Sequence, residues 1–342
     1  MAKVALIKGD GTGPELVDSM VSVLNRVGTN VELISCEAGS EWWEKAGGPS
    51  YIPDETWNIL SSSDACFKGP TTTVPVPGTP RSVAVTLRQK FELYSNVRPI
   101  KSYPGQSGPL GDVDFVCVRE ATEGLYSGID FKIDNDVAIA MRKISRKGSE
   151  RIAEQAFKIC NDRNWDTIIA ITKRNILKET DSLFLDSVNK IGEQFPNIKV
   201  EEYFVDNITQ QLVKNPTRFN KNILLSTNLF MDIVSEEASG LIGSIGCVYS
   251  GNFGDKYAMF EPAHGSAPKY KGQNKTNPTA TILSGAWMLR YLGETDLADA
   301  IFQATEDVIS EGKYLTYDLG GDATTSMMSD AIGSRAEQIL SK

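Results

Sequence analysis

The sequence predicts an α/β fold in which buried strands alternate with helices. Short apolar runs, such as Val4–Ile7, Ala65–Lys68 and Thr167–Thr172, have the length and composition of buried strands. Longer segments, such as Ser149–Asn161, carry apolar residues at the spacing of one helix face. Because the two kinds of segment alternate along the chain, we expect the α/β class rather than an all-helical or all-strand protein.

The other elements follow from turn signals and apolar spacing. In the first half we expect a helix from the Gly9–Glu15 turn to about Val27, a strand at Val31–Cys36, a helix at Thr56–Ser61, a Pro- and Thr-rich loop at 69–80, a helix at Ser82–Tyr94, a strand at Asp112–Arg119 and a hairpin at Ile129–Ile144 that turns at Asp134–Asp136. In the second half we expect a helix at Lys178–Gln194, a strand at Lys199–Val205 ending in Asp206, a helix at Gln210–Lys214, a strand at Asn222–Leu225, a helix from Phe230, a glycine-rich crossing at Gly240–Gly254, and helices from Ala280, at Asp296–Glu311 and at Thr325–Leu340.

Composition and charge argue against several classes of function. The chain has 342 residues, 41% apolar and 23% charged, which suits one large or two modest domains. Its net charge of −9 disfavours a general role in nucleic-acid binding. The five cysteines are scattered and odd in number, as expected for reduced thiols of a cytoplasmic protein. No apolar run approaches the roughly 18 residues of a membrane helix, and the N-terminus is predicted to be a strand, not a signal peptide.

One stretch, Phe260–Pro278, has the features of a ligand-binding loop. It contains the only histidine, His264, and small residues that allow close approach of a backbone. Lys269 and Tyr270 stand where a phosphate could be bound, and the stretch leads into an apolar helix whose N-terminus presents free N–H groups. Taken alone, the stretch fits an anion site or a structural turn. The Gly9–Glu15 turn lacks G-x-G-x-x-G spacing and is predicted to be structural.

Acidic and basic residues supply two further candidate groups. Asp232 and Glu236 are spaced i, i+4 and share one helix face, and Asp206 lies at a predicted strand end. Carboxylates that converge in this way suit a hard divalent cation, although solvated acids on a helix face are the commoner explanation. Arg88 and Arg98 flank the end of the predicted helix at Ser82–Tyr94 and, taken singly, are ordinary surface cations.

Taken together, these segments resemble the isocitrate/isopropylmalate dehydrogenase family of β-decarboxylating dehydrogenases. The resemblance covers nearly the whole chain, and the joint order of the segments makes it specific. The matching segments are Lys8–Glu15, Leu87-Arg88 to Val97-Arg98-Pro99, Arg119-Glu120 to Tyr126, Lys173–Lys178, Asn228–Asp232, Glu261–Pro268 and Asp318–Gly321.

The resemblance implies the α/β fold of that family, which is not a Rossmann fold. A large open cofactor-binding α/β domain is expected from residues 1–95 and 243–342. A small α/β dimerisation domain is expected from residues 96–123 and 146–242, with an intersubunit clasp at residues 124–145. It further implies a homodimer with shared active sites, acting on a small tricarboxylic acid, with no nucleic-acid or membrane partner.

The resemblance also implies a metal site and two catalytic residues. Asp232, Glu236 and Asp206 of the partner subunit would hold Mg²⁺ or Mn²⁺, which prefer oxygen ligands. Lys173 resembles the lysine that handles the proton of the substrate hydroxyl, and it too is expected to act in the partner's site. Tyr126 resembles the tyrosine that protonates C3 after decarboxylation.

Substrate contacts are implied for Arg88, Arg98, Arg119 and Ser82. Three forked guanidinium groups suit carboxylates. The polar Pro80-Arg81-Ser82 segment resembles the isocitrate pattern, because isopropylmalate enzymes place apolar residues there. Ala84 stands where isocitrate enzymes usually carry asparagine, so homoisocitrate is the alternative substrate.

The cofactor contacts implied by the resemblance surround the Phe260–Pro278 stretch. They are Thr72, Thr73, His264, Gly265, Ser266, Ala267, Pro268, Lys269, Tyr270, Asn277 and Tyr317. Lys269, Tyr270 and Tyr317 resemble the set that binds the 2′-phosphate of NADP. Gly321 occupies a place where some NADP enzymes supply an arginine, so NAD stays the alternative.

The sequence therefore predicts an NADP-dependent isocitrate dehydrogenase that uses Mg²⁺ or Mn²⁺, as in the tricarboxylic acid cycle. The alternatives are a homoisocitrate or isopropylmalate dehydrogenase that uses NAD, and a catalytically idle regulatory subunit. The joint presence of the arginines, the acids, Tyr126 and Lys173 argues against an idle subunit.

Overall fold

The computed structural model describes residues 1–106 and 108–342, which form two compact units. The terminal unit comprises Met1–Leu87, Tyr103–Ser107 and Ile242–Lys342. The middle unit comprises Arg88–Ser102 and Gly108–Leu241. Each unit contains strands and helices, so the predicted α/β class is confirmed.

The strands agree with the apolar runs of the sequence at most positions. In chain order they are β1 (Lys3–Ile7), β2 (Glu32–Cys36), β3 (Ala65–Lys68), β4 (Ser95–Lys101), β5 (Asp114–Glu120), β6 (Asp130–Lys132), β7 (Ala138–Ala140), β8 (Thr167–Thr172), β9 (Lys199–Phe204), β10 (Asn222–Ser226), β11 (Tyr249–Phe253) and β12 (Ala258–Pro262).

The helices separate most of the strands. They are α1 (Gly13–Arg26), α2 (Ser40–Ala46), α3 (Asp54–Ser61), α4 (Val83–Lys90), α5 (Arg146–Asp162), α6 (Lys178–Gly192), α7 (Val205–Lys214), α8 (Asn228–Gly240), α9 (Thr279–Tyr291), α10 (Thr295–Glu311) and α11 (Thr325–Leu340).

The terminal unit is built on strands in the order β2-β1-β3-β12-β11. All neighbours are parallel except β11 and β12, which run antiparallel. Helix α9 is buried along nearly its whole length and packs on β12 and against α1 and α10. The apolar segment from Ala280 therefore forms the predicted buried helix. The Phe260–Pro278 stretch joins it to β12.

The middle unit is built on strands in the order β4-β5-β10-β8-β9. Strands β5, β10, β8 and β9 are parallel, and β4 runs antiparallel to β5. The carboxyl ends of parallel strands meet at one edge of a sheet, where α/β proteins place ligand contacts. The segments after β5, β10 and β8 begin at that edge with Ala121, Thr227 and Lys173.

The predicted hairpin is confirmed, and among the described residues it forms a two-stranded sheet of its own. Strands β6 and β7 run antiparallel, with Phe131 opposite Ile139. The turn is closed by Asp134, whose Oδ1 accepts hydrogen bonds from the backbone N–H groups of Asp136 and Val137, both at 2.8 Å. Short polar side chains favour such turns for this reason.

Most predicted boundaries differ from the structure by up to three residues, and two differ by more. The helix expected at Ser82–Tyr94 is α4 and ends at Lys90, because Glu92 adopts a left-handed φ of 49° and β4 begins at Ser95. The helix expected from Gln210 begins at Val205, so Asp206 lies in the first turn of α7, not at the end of a strand. Strands β4, β11 and β12 and helix α2 were not predicted, and the first residues of the expected Phe260–Pro278 loop belong to β12.

None of the helices within residues 1–106 and 108–342 has the length and apolar character needed to cross a membrane. All five cysteines are free thiols.

Candidate active site

Arg119 is the centre of a polar cluster in the middle unit. It lies on β5 and only 2% of it is exposed. Its Nε and Nη2 donate to Oδ1 of Asn228, at 2.9 and 2.7 Å, and its Nη1 donates to Asp232. Asn228 opens α8 and Asp232 follows one turn later, so one helix face presents both groups to the guanidinium. The guanidinium also lies 5.0 Å from the ring centroid of Tyr126.

Arg98 and Arg88 complete this cluster of cations. Arg98, on β4, donates through Nη1 to Oε1 of Glu236 at 2.8 Å and to Oγ of Ser235 at 3.0 Å. Its Nη2 lies 4.0 Å from Oδ1 of Asp232. Arg88, in the last turn of α4, is buried and its charge acts on both Asp232 and Arg119. The structure therefore brings together the three arginines that the sequence singled out.

The ionisation of this cluster reflects burial and charge. Burial lowers the pKa of Arg119 to about 10, and the neighbouring positive charge of Arg88 acts in the same direction. Burial acts to raise the pKa of Asp232, but Arg119, the hydrogen bond from Tyr126 and the charges of Arg98 and Arg88 together hold that pKa below its usual value. Burial and the hydrogen bond to Asp232 raise the pKa of Tyr126, so its phenol stays protonated.

The predicted carboxylate trio is not assembled within one copy of the chain. Asp232 and Glu236 face the arginines on α8, as their i, i+4 spacing predicted. Asp206 instead accepts a hydrogen bond from Nζ of Lys173 at 2.7 Å, and that bond lowers the pKa of Asp206. No group of three or more His, Cys, Asp or Glu side chains able to hold a metal occurs in residues 1–106 or 108–342.

A separate cavity of about 380 Å³ lies in the terminal unit. Its walls come from the Phe260–Pro278 stretch, from Thr12 directly before α1, and from the segments 244–246 and 317–318. The lining residues are Thr12, Ser244, Ile245, Gly246, His264, Gly265, Ala267, Tyr270, Thr276, Asn277, Tyr317 and Asp318. Six of the predicted cofactor contacts are among them.

Polar groups in this cavity are held in place, with one exception. Nδ2 of Asn277 donates to Oδ2 of Asp318 at 2.9 Å, and Oγ of Ser244 donates to the same oxygen at 2.5 Å. The imidazole Nδ1 of His264 lies 3.0 Å from the carbonyl oxygen of Gly265. Its Nε2 is buried and has no hydrogen-bond partner among the described residues. Burial lowers the pKa of His264, which favours the neutral imidazole.

The other predicted cofactor contacts lie beside the cavity. Oγ of Ser266 lies 2.6 Å from Oγ1 of Thr72. The backbone N–H of Thr72 donates to buried Asp10 at 2.7 Å, and Asp10 also accepts from the N–H groups of Ser40 and Glu41. Pro268, Lys269 and Thr73 are exposed.

Two tyrosines and two lysines form a cluster at one side of the cavity. The rings of Tyr270 and Tyr317 lie 5.8 Å apart. Nζ of Lys269 is 4.8 Å from the Tyr270 ring, and Nζ of Lys275 is 4.7 Å from the Tyr317 ring. A hydrogen bond with Tyr317 lowers the pKa of Tyr270, whereas burial raises the pKa of Tyr317 to about 12. Sequence reasoning missed Lys275, although it lies within the stretch that was singled out.

Ser82 lies one residue before α4 in the terminal unit. Its carbonyl oxygen accepts from the N–H and the hydroxyl of Thr86, each at 2.9 Å. Arg88 lies six residues further along the same segment. Asn228 was missed at the sequence level, although its i−4 spacing from Asp232 was a usable signal.

Comparison with known proteins decides what kind of enzyme this geometry belongs to. The sequence profile described as isocitrate/isopropylmalate dehydrogenase matches residues 3–332. The chain belongs to the isocitrate/isopropylmalate dehydrogenase family. The chain is 43% identical over 332 residues to an isocitrate/homoisocitrate dehydrogenase of Thermus thermophilus, covering 96% of this chain and 97% of the relative. It is 38% identical over 342 residues to a 3-isopropylmalate/3-methylmalate dehydrogenase of Methanocaldococcus jannaschii, covering 99% of this chain and all of the relative.

Solved structures agree with the family assignment. The crystal structure of an isocitrate dehydrogenase from Methylococcus capsulatus superposes with a TM-score of 0.94 at 42% identity, covering 99% of this chain and 100% of that one. The predicted isocitrate/isopropylmalate dehydrogenase fold is therefore confirmed. Members of the family are β-decarboxylating dehydrogenases that use a nicotinamide cofactor and a divalent metal.

Proposed function

We propose that this protein oxidatively decarboxylates isocitrate to 2-oxoglutarate and CO₂, with NADP as the hydride acceptor. The observation that carries the proposal is the convergence of Arg88, Arg98 and Arg119 on Asp232. A buried excess of positive charge favours a substrate with several carboxylates, and forked guanidinium groups bind carboxylates in two-point fashion. Ser82, beside the polar Arg81, would receive the carboxylate that distinguishes isocitrate from isopropylmalate.

The residues of the cluster fit a divalent metal shared between two chains. Asp232 and Glu236 offer carboxylate oxygens from one chain, and exposed Asp206 of the partner subunit would add the third carboxylate. When bound, Mg²⁺ or Mn²⁺ would lower the pKa of the substrate hydroxyl and stabilise negative charge on its oxygen.

Two side chains would move the protons of the reaction. Lys173, from the partner subunit, would take the hydroxyl proton as hydride leaves C2 for the nicotinamide ring. Tyr126 would give its phenolic proton to C3 after CO₂ is lost. The raised pKa of Tyr126 suits this role, because the proton is present at neutral pH until carbanion character develops at C3.

The terminal-unit cavity would hold the adenosine end of the cofactor. Buried Nε2 of His264 offers a hydrogen bond that no described residue satisfies, and Asn277 is held in place by Asp318. Lys269, Lys275 and the two tyrosine hydroxyls offer the charge-assisted hydrogen bonds that a 2′-phosphate requires. This cluster favours NADP over NAD.

The exposed hairpin supports the proposed homodimer. Its apolar side chains include Phe131 at 49% exposed and Ile133 at 58%, and neighbouring large apolar residues are also exposed. A contiguous apolar surface of this kind marks a protein–protein contact. A second copy would cover it and bring Lys173 and Asp206 to the cluster on α8.

Homoisocitrate is the second candidate substrate, because Ala84 offers less side chain than the asparagine usual in isocitrate enzymes. A matrix of kcat/KM values for isocitrate, homoisocitrate and isopropylmalate against NADP and NAD tests both candidates. We expect the highest value for isocitrate with NADP and Mg²⁺ or Mn²⁺, and its loss on chelation. No turnover in any of the six combinations, with metal present, would refute the enzymatic function.

A further inference from the structure

Arg142 lies where three elements of the middle unit meet. It follows β7 by two residues, at the base of the hairpin. Its Nη1 donates to Oγ1 of Thr180 and to Oδ1 of Asp181, both at 2.6 Å, in the first turn of α6. Its Nη2 donates to Oγ1 of Thr227 at 2.9 Å, directly before α8. The guanidinium also lies 5.1 Å from the ring centroid of Phe230.

Asp181 links Arg142 to Lys173 through hydrogen bonds. Only 1% of the Asp181 side chain is exposed, and its second oxygen accepts the backbone N–H of Lys173 at 2.6 Å. The carbonyl oxygen of Lys173 accepts from the N–H groups of Ile176 and Leu177, each at 2.9 Å. The segment between β8 and α6 is therefore a tight turn that is held at Lys173 by Asp181.

A gain in folding stability does not by itself explain the ion pair between Arg142 and Asp181. A buried ion pair contributes little net stability compared with apolar residues of similar volume, because both charges lose their hydration. The Arg142 fork instead binds three acceptors, two on α6 and one directly before α8, which fixes geometry more than it adds free energy. The residue held at the far end is the lysine at the carboxyl end of β8.

We propose that Arg142 and Asp181 are positioning residues that set the place of Lys173 for removal of the substrate hydroxyl proton. This inference rests on the proposed function. In the proposed dimer, α8 serves one active site and Lys173 serves the other. Arg142 thus joins the hairpin at the subunit contact to elements of both sites.

The two halves of the proposed reaction separate this role from a purely structural one. In the first half, the hydroxyl proton passes to Nζ of Lys173, hydride passes from C2 to the nicotinamide ring, and C2–OH becomes a carbonyl. In the second half, the resulting 2-oxo acid, oxalosuccinate for isocitrate, loses CO₂; the electron pair of the broken bond passes into the enolate, and C3 gains a proton. Only the first half begins with removal of a hydroxyl proton.

The test is a double variant, Arg142→Met with Asp181→Leu, which removes both charges and leaves no unpaired buried ion. We expect kcat for isocitrate oxidation to fall about 100-fold, as a misplaced catalytic group predicts. KM for isocitrate should change less than about threefold, since the arginine cluster is untouched. Decarboxylation of added oxalosuccinate, with the same metal, should stay within about twofold of the parent rate.

A matched control is Lys190→Met with Glu150→Leu. This pair also joins a cation to a carboxylate, at 2.8 Å between α6 and α5, but its side chains are 59% and 24% exposed, so neither rate should change. Equal losses of both half-reactions, or no loss in either, would overturn the positioning role.

If the double variant does not fold, the single variant Arg142→Lys tests the positioning role. Its single ammonium cannot reproduce the fork, so isocitrate oxidation alone should fall, and an unchanged rate overturns the proposal. A parent chain inactive on all three acids would instead refute the proposed function.

Discussion

Lys269 and Tyr270 are the residues that we expect to decide cofactor choice. The double substitution Lys269→Asp with Tyr270→Ile removes a cation and a phenol and introduces a carboxylate. This carboxylate repels a 2′-phosphate and can accept hydrogen bonds from ribose hydroxyls. We expect the NADP/NAD ratio of kcat/KM to fall by at least about 100-fold, since two charge-assisted contacts are lost. Steady-state kinetics with both cofactors measures this ratio. An unchanged ratio would show that the 2′-phosphate binds elsewhere.

The chain contains a matched control for this substitution. Lys313 and Tyr314 are also neighbours in sequence, and Nζ of Lys313 lies 4.9 Å from the Tyr314 ring. They do not line the cavity. The same exchange at these positions should leave the cofactor ratio unchanged.

Lys275 extends the cofactor prediction to a residue that the sequence did not single out. Its ammonium lies between the Tyr270 and Tyr317 rings, at 5.7 and 4.7 Å. We expect Lys275→Ala to raise KM for NADP about tenfold and to leave KM for NAD nearly unchanged, because one ionic contact to the 2′-phosphate is lost. Equal changes in both KM values would contradict this role.

Glu237 provides a pH test that is independent of the chemistry. Burial raises the pKa of this carboxyl from 4.5 to about 7. The folded state therefore binds the proton more tightly than the unfolded state, and the contribution of Glu237 to stability falls as pH rises from 4.5 to about 7. Glu237→Gln should raise Tm above about pH 7 but not near pH 4, as measured by calorimetry across this range. A Tm difference that does not depend on pH would contradict the raised pKa.

At the scale of elements, α8 shows why a helical spacing can be interpreted from sequence. Asp232 and Glu236 were predicted to share a face, and both contact arginines. The helix begins two residues before Phe230, so Asn228 joins the same face and holds Arg119. The helical period alone predicted that the two acids share one face. Placing Asn228 on the same face also required knowing the residue at which the helix begins.

The elements that were missed have local sequences that disfavour them. Strand β4 contains Pro99, which lacks an N–H donor, and β11 contains Gly251 and Asn252, which are uncommon in strands. Pairing of β4 with β5 and of β11 with β12 overrides these propensities. Long-range pairing of this kind is invisible to local spacing. The strand at Thr167–Thr172 and the helix at Thr325–Leu340 were predicted to the residue because their own patterns were sufficient.

The hairpin offers a test of assembly at the level of one element. Phe131 and Ile139 face each other across β6 and β7 and are both exposed. Phe131→Ser with Ile139→Ser should shift the protein from dimer to monomer at micromolar concentration, because it removes apolar area that the second copy would cover. Light scattering after size exclusion measures the mass. Met327→Ser, at an equally exposed apolar site on α11, should leave the mass unchanged.

At the scale of the whole molecule, the proposal divides each active site between two chains. Asp232→Asn and Lys173→Met should each inactivate a homodimer. When the two variants are co-assembled at random, half of the dimers are mixed, and each mixed dimer regains one intact site. We expect about a quarter of the parent activity, as two-fold symmetry requires. Complete inactivity of a verified mixed dimer would place Lys173 and Asp232 of the same chain in one site.

The identity of the family was predictable because its motifs are distributed over the whole chain. Single residues such as Arg88 or Asp206 carried little information, but their joint order from Lys8 to Gly321 was specific. Whether Asp206 meets Asp232 within one chain was not predictable, since helical period and strand length do not report contacts between separate elements. The structure pairs Asp206 with Lys173 instead.

The free hairpin also has a consequence for how the protein is made. If the protein forms the proposed homodimer, a newly synthesised chain exposes Phe131, Ile133, Ile139 and Met141 until a second copy covers them. Its encounter with that copy is second order in concentration, whereas folding of each unit is first order. At low expression the lone chain therefore persists longest, and its exposed apolar side chains stay available to chaperones and to other nascent chains. Slow synthesis should thus increase the fraction of this protein that is bound by chaperones, because their concentration does not depend on its expression.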